Sequence, residues 1–303
     1  YVDDVLALSG LTSSVSLRLQ AENKIVLNFG VIGPAFPGAV ELDLVAPSGV
    51  DWNGASISGA VQVSAKTAPS STSADGRISV SGASGGFQAT RLNTGSLVLS
   101  PGAQFQLGPN SSLQAGSLDL GASSKLFVGA STFTYAGSIN MEGGAASPSQ
   151  LWVGSGTGVF NLASGGTLFV GKTVTSPNIA QAQIIASSFV NQGALVFDVD
   201  GGSSDSLFVL GVSPTPTPSP APSPSIANST VNLGGTISVF SSGSLVTGTV
   251  YSLVSAGSFS PTPTVAVSSG NFRGFLAGTA APFAYSVEYV GPPTPSPSPA
   301  PTP

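Results

Sequence analysis

Apolar and polar residues alternate in short runs along nearly the whole chain, and Gly, Ser and Asn separate the runs. Residues 14–20, 24–29, 39–45 and 56–64 each read as strands, because side chains on a strand point to opposite faces with a period of two. No stretch keeps a 3.6-residue apolar period, so almost no helix is expected.

From residue 95 the alternation acquires a longer period. Gly95-Ser96-Leu97-Val98-Leu99 returns as Gly116-Ser117-Leu118-Asp119-Leu120, Gly137-Ser138-Ile139-Asn140-Met141 and Gly158-Val159-Phe160-Asn161-Leu162, at one constant interval. A second series, Leu107-Gly108, Val128-Gly129, Val153-Gly154 and Val170-Gly171, keeps that interval once, then overshoots it and falls short by the same amount. The extra length of the middle step lies in the loop at 143–148. A repeat of this size with two or three short strands has the dimensions of one coil of a parallel β-helix, whose coils stack at ~4.8 Å. The expected fold is all-β: a parallel β-helix (solenoid) with rungs of about 21 residues, interrupted by a proline-rich loop. Leu97, Leu118, Ile139 and Phe160 should then form one inward file and Leu99, Leu120, Met141 and Leu162 the next, with Val98, Asp119, Asn140 and Val159 outward. The competing architecture is a β-sandwich whose strand spacing coincides.

Residues 1–90 are a less regular β region, either early rungs or a small separate domain. Residues 91–212 are β-helix rungs, 213–225 a Pro/Ser/Thr segment, 226–291 the C-terminal rungs and cap, and 292–303 a proline-rich tail. The two tracts read Ser-Pro-Thr-Pro-Thr-Pro-Ser-Pro-Ala-Pro-Ser-Pro-Ser and Pro-Pro-Thr-Pro-Ser-Pro-Ser-Pro-Ala-Pro-Thr-Pro. Proline lacks the N–H that a ladder needs, so both should be extended, polyproline-II-like segments. They serve as passive linkers or as stalks bearing O-linked sugar. The chain starts at Tyr1 without a leader-like segment and stops inside a proline repeat, as a mature or truncated stretch that continues past Pro303 would.

The alternating Ser-Pro and Thr-Pro runs resemble the hydroxyproline-rich glycoproteins of green algal and plant walls and surface filaments. That resemblance implies hydroxylation and glycosylation at Pro214, Pro216, Pro218, Pro220, Pro222, Pro224, Pro293, Pro295, Pro297, Pro299, Pro301 and Pro303. Two Asn-x-Ser/Thr sequons, Asn110 and Asn228, agree with a secretory route. Nearer the C-terminus, Gly-Ala-Leu-Val-Phe-Asp-Val-Asp (193–200) leads to Asp205-Ser206-Leu207-Phe208-Val209, Leu233-Gly234-Gly235-Thr236-Ile237 and Gly248-Thr249-Val250-Tyr251. This order is similar to the last rungs of autotransporter passenger β-helices, from which the chain departs by its interrupting proline tract and by the proline-rich stretch, rather than a membrane barrel, that follows within residues 292–303.

Only 7% of residues are charged while 41% are hydrophobic, and mean hydropathy is +0.35. Surface hydroxyls and amides, with attached sugar, must then do the solvating that charge does elsewhere. Net charge is −5 and the eight cations are scattered singly, so no basic stripe exists to follow a nucleic acid backbone. No apolar run approaches the ~20 residues of a membrane helix.

His and Cys are both absent, which removes Ser-His-Asp and Cys-His catalysis and ordinary zinc sites. Asp198, Asp200 and Asp205 form the main acidic cluster, either a Ca²⁺ site or glycosidase pair, or a solvated outer face at a turn. Phe127, Trp152 and Phe169 precede successive Val-Gly pairs and make an aromatic ladder, outside as a docking strip or inside as core. No catalytic, cofactor or metal site is expected. The expected function is a structural subunit of an extracellular or cell-surface glycosylated filament, wall or coat. Its partners would be attached glycans and further copies of itself, with no nucleic acid and no membrane span. Head-to-tail assembly would use Val2, Val5, Leu6 and Leu8 at one end and Tyr285, Val287 and Tyr289 at the other, where strand edges lack an evident partner. The alternatives are an adhesin or carbohydrate-binding passenger, and a polysaccharide-active enzyme with several carboxylates in a cleft.

Overall fold

The computed structural model describes residues 6–7, 15–27, 31–32, 40–53, 57–58, 61–81, 83–87, 91–109, 111–171, 179–212, 224–241, 244–260, 266–267, 271–278 and 282–291. Among these the chain is a parallel β-solenoid with no α-helix. A fourteen-stranded sheet (sheet 1) runs from Val15–Gln20 to Ala266–Val267. A nine-stranded sheet (sheet 2) runs from Ala83–Phe87 to Phe272–Ala277, and a five-stranded sheet (sheet 3) from Thr132–Tyr135 to Ser258–Phe259. One middle rung shows the route: Ser138–Met141 in sheet 1, Ser149–Val153 in sheet 2, Val159–Leu162 in sheet 3, and back to sheet 1 at Thr167–Val170.

The alternating pattern forms these strands because each can bury one face inside the coil. In sheet 1 an unbroken in-register file runs Ile25, Val50, Ile78, Leu97, Leu118, Ile139, Leu168, Leu195, Ile237, Val267. Its members from Val50 to Ile237 are at most 1% exposed. Sheet 2 contributes Phe105, Leu126, Leu151, Ile184 and Val209, and sheet 3 contributes Phe133, Phe160, Phe189 and Val231. The three phenylalanines stack with ring centroids 5.7 and 5.4 Å apart. Burying a large apolar side chain contributes about 1.5–3 kcal/mol, and the rungs that reach sheet 3 repeat that gain at three walls.

Glycine precedes the inward file of sheet 1, first within the long strands Arg91–Leu99 and Ser112–Leu120 and, from Gly137 on, at the sheet-3 to sheet-1 corner. Gly95, Gly116, Gly137, Gly166, Gly193 and Gly235 follow one another; at all but Gly166 a Cβ would strike the backbone of the rung before it, and at Gly166 it would meet the Leu162 side chain at 2.8 Å and the Tyr135 carbonyl oxygen at 3.0 Å. At Gly116 it would lie 2.8 Å from the Gly95 carbonyl oxygen; at Gly137 and Gly193 it would come closer still, to Gly116 and Gly166. The same carbonyls accept the ladder bonds that restart sheet 1, with Thr167 N–H donating to Gly137 at 3.0 Å and Ala194 N–H to Gly166 at 2.9 Å. The glycine opening each sequence repeat is therefore a steric requirement of close stacking.

The structure corrects the expectation of a uniform rung. The step from Leu97 to Leu118 equals the step from Leu118 to Ile139, but Ile139 then pairs with Leu168 rather than with Phe160. The average rung is about 25 residues. Phe160 and Leu162, expected above Ile139 and Met141, instead stand in sheet 3 above Phe133 and Tyr135. Likewise Val153 continues the file of Leu107 and Val128, whereas Val170 pairs with Met141 in sheet 1. The extra chain lies in the 143–148 loop and the turn Gly154–Gly156, so one sequence repeat taken from Ile139 lands one wall short.

Among the described residues before 90, Val15–Gln20, Val40–Val45 and Val61–Lys66 pair in parallel and lead into Arg91–Leu99, as rungs of the same sheet would. Val61–Lys66 and Arg77–Ser81 flank Arg91–Leu99 on its first and second halves. Leu6 lies in strand Leu6–Ala7, paired with Val31–Ile32, while Val2, Val5 and Leu8 lie outside the described residues. The open edge expected at Tyr285, Val287 and Tyr289 is not there. Phe283–Tyr289 is paired antiparallel on both sides, with Val250–Ala256 and Phe272–Ala277, and Tyr285 and Val287 are buried.

Gly137→Ala should lower stability by about 2–3 kcal/mol, because backbone must move to admit the methyl group. Gly144→Ala, with nothing within 4 Å of its Cβ position, should stay within ~0.5 kcal/mol of the parent. Denaturant titrations of both variants check the contrast.

Candidate functional site

The proline tract is a clamped excursion from one rung. Strand Ser206–Leu210 of sheet 2 ends at Gly211, and the 3-10 turn Ile226–Asn228 leads into Thr230–Leu233 of sheet 3. Gly211 and Ser225 bridge antiparallel: Gly211 N–H donates to the Ser225 carbonyl at 2.9 Å and Ser225 N–H to the Gly211 carbonyl at 2.8 Å. The step from Phe189 to its partner Val231 is longer than the step from Phe160 to Phe189 by as much chain as lies between the bridging pair, 212–224. The rung is therefore of ordinary length once the tract is set aside. The buried Ser229 hydroxyl donates to the Val209 carbonyl at 2.7 Å and accepts from Gly257 N–H at 3.1 Å, stitching the base of the excursion to both neighbours.

Asn228 stands at this base with its side chain exposed. Pro224 is half-buried beside the clamp. Asn110, the other prolines of the first tract and all those from Pro293 to Pro303 lie outside the described residues.

The three aspartates separate by environment. Asp198 and Asp200 are half-exposed on the outer face, whereas Asp205 is 1% exposed. Its two oxygens accept from Ala180 N–H and Asp198 N–H, both at 2.7 Å. Burial pushes its carboxyl up to about 6 against the pull of those two bonds. Burial also raises Asp198. Asp205 is thus a backbone clasp, not part of a solvated acidic face; among the described residues no group of three potential ligands gathers around a metal position.

Phe127 and Trp152 lie against each other on the outer face of sheet 2, with centroids 5.5 Å apart and ring planes tilted by 32°. Phe169, expected to extend them, belongs to sheet 1 and pairs with Asn140. Beside the aromatic pair, Trp152 Nε1 donates to Gln150 Oε1 at 3.1 Å, and Gln150 Nε2 donates to Gln183 Oε1 at 2.8 Å. This strip satisfies much of its own hydrogen bonding.

A groove of about 680 Å³ behaves differently. It crosses the outer face of the strands from Val40–Val45 to Thr132–Tyr135, and no pairing joins Ser112–Ala115 to Thr132–Tyr135 among the described residues. Gln62, Asn93 and Gln114 line it, and Ser64, Asn93 and Gln114 are successive register partners. One wall is the segment at 72–74, held by Asp75, whose carboxylate accepts from Thr67 N–H (2.9 Å), Thr67 Oγ1 (2.7 Å) and Ser71 Oγ (3.2 Å). Those bonds, the Thr67 amide first, hold the Asp75 carboxyl below its usual value. The lining holds one carboxylate, Glu41, and one cation, Lys66, which is paired with Asp43 at 3.1 Å. Composition and periodicity do not point to this groove; its only trace in the sequence is polar residues at three outward positions of successive strands.

No family model matches the chain, and no curated protein is detectably similar to it in sequence.

Asp205→Ala leaves two buried N–H groups unpaired and should cost about 2–4 kcal/mol. Because the folded-state value of about 6 lies above the ordinary 3.8, this carboxyl's contribution to stability is complete below ~pH 4 and is lost as pH rises through ~6. The stability gap between parent and variant should therefore be larger at pH 4 than at pH 7, as read from denaturation midpoints at the two values.

Proposed function

We propose that this chain is a structural subunit of an extracellular, glycosylated filament, wall or surface coat, with no catalytic role of its own. The observation that carries the proposal is the clamped excursion: a Ser/Thr/Pro tract leaves and rejoins the solenoid through the Gly211–Ser225 bridge without disturbing the rungs on either side. A stalk attached in this way can carry bulky sugar while the ladder beneath stays unbroken. The Asn228 sequon at the same base and the low charge of the whole chain support the same reading. Sugar on the tract would supply the hydration that 7% charged residues do not. Assembly into a polymer would have to use surfaces other than the edges of Phe283–Tyr289, which are taken up within the chain.

Replacing residues 213–223 by a two-glycine link, which keeps the buried Val212 and its bond to the Gly156 carbonyl, should leave the β circular dichroism and the melting temperature of unglycosylated protein nearly unchanged. Chemical deglycosylation of protein purified from its source should lower its intact mass, and the drop should shrink with the tract removed. A mass that deglycosylation leaves unmoved would refute the glycosylated-stalk reading. Negative-stain images of the native material should show regular filaments or sheets; isolated monomers would refute the structural one.

A further inference from the structure

The groove over the early rungs combines three features. Its length is set by the ladder: lining residues come from four successively paired strands, about 15 Å along the solenoid axis at ~4.8 Å per rung, with the unpaired Thr132–Tyr135 beyond them. Its polar capacity is unspent, since Gln62, Asn93 and Gln114 have no hydrogen-bond partner for their side-chain amides among the described residues, and each amide offers two donors and an acceptor. Its charge is nearly nil, because Lys66 is committed to Asp43 and Glu41 stands alone at one end. At the other end Tyr135 and Leu113, both buried, close the groove, and the Tyr135 hydroxyl donates to the Ser138 carbonyl at 3.4 Å.

An anionic ligand would find no free cation here, and a cationic one would find a single carboxylate. A compact apolar ligand would bury amides without satisfying them. What matches an extended row of free amides and hydroxyls, with no charge to neutralise, is a chain of neutral hydroxyl-bearing rings. The wall held by Asp75 and the rigid ladder beneath mean that little ordering is needed on binding.

We infer that this groove binds an extended neutral polysaccharide, lying along the solenoid axis across the Ser64–Asn93–Gln114 column. This site is separate from the proline excursion and does not depend on its glycosylation, so the filament proposal and this one can fail independently.

Affinity electrophoresis of the full chain tests it, with a mixed-linkage β-glucan, a galactomannan and a xyloglucan as neutral probes and polygalacturonate as the charged one. At least one neutral polymer should retard the protein. Asn93→Ala with Gln114→Ala should weaken that retardation at least about tenfold while melting stays that of the parent, and Gln62→Ala should weaken it less. Lys125→Ala with Gln150→Ala, on the sheet-2 strip, should leave it unchanged. Retardation by no neutral polymer, retardation by polygalacturonate alone, or undiminished binding by the Asn93/Gln114 variant would each overturn the inference. Loss of binding in the Lys125/Gln150 variant would move the site to the strip and overturn it equally.

Discussion

Parallel in-register stacking is the constraint from which the rest of this molecule follows. Each residue sits one strand spacing, ~4.8 Å, from its counterpart on the next rung, so a side chain is judged first by what its counterpart is. Inward positions can then be filled by one aliphatic or aromatic file after another. At the tight corner between sheets 3 and 1 nothing larger than glycine fits, because the preceding carbonyl occupies the space a Cβ would need. Outward positions pair like with like as well: Asn140 Nδ2 donates to Asp119 Oδ1 at 2.6 Å, Gln150 bonds Gln183, and the hydroxyls of Thr230 and Ser258 meet at 2.9 Å.

What the ladder does not constrain is the length of chain between strands. Along the main inward file the step is shortest from Ile78 to Leu97, longer from Ile139 to Leu168, and longest from Leu195 to Ile237, where the proline tract is inserted. The cost of a longer loop grows only slowly with its length, and two backbone bonds at Gly211 and Ser225 close the largest one without strain on its neighbours. The features with chemical character sit where the repeat is irregular: the excursion at one corner, and the groove where Ser112–Ala115 and Thr132–Tyr135 fail to pair. The regular part of the solenoid is scaffold, and its interruptions are where recognition and modification have room.

The two kinds of polar outer surface differ in how far they are already satisfied. On sheet 2 the glutamines bond one another and the indole of Trp152, which makes that face self-contained. In the groove over the early rungs the side-chain amides of Gln62, Asn93 and Gln114 have no partner among the described residues, and a preorganised wall stands beside them. At the C-terminal end of sheet 2 the direction of pairing reverses. Phe283–Tyr289 closes on both its neighbours antiparallel, with Arg273 and Glu288 joined at 2.6 Å across the last pair. An antiparallel closure changes the pattern of exposed N–H and C=O groups that a further parallel rung would need.

The amino-acid sequence by itself determined the all-β class, the stacked parallel strands and the inward direction of Leu97, Leu118 and Ile139, because period-two alternation and a glycine-headed repeat are local properties. It also marked the proline tract as something the ladder could not absorb. It did not determine which wall a strand joins. Leu-x-Leu, Phe-x-Leu and Leu-x-Val serve all three sheets alike, so Phe160 and Val170 looked equivalent to residues that stand on other walls. Nor could it distinguish Asp205 from Asp198 and Asp200, since burial depends on Ala180 and Gly171 arriving from the preceding rung. The closed edge of Phe283–Tyr289 and the groove over Asn93 and Gln114 belong to tertiary structure alone. Each arises from how distant strands meet, or fail to meet, and no short window of sequence contains both partners.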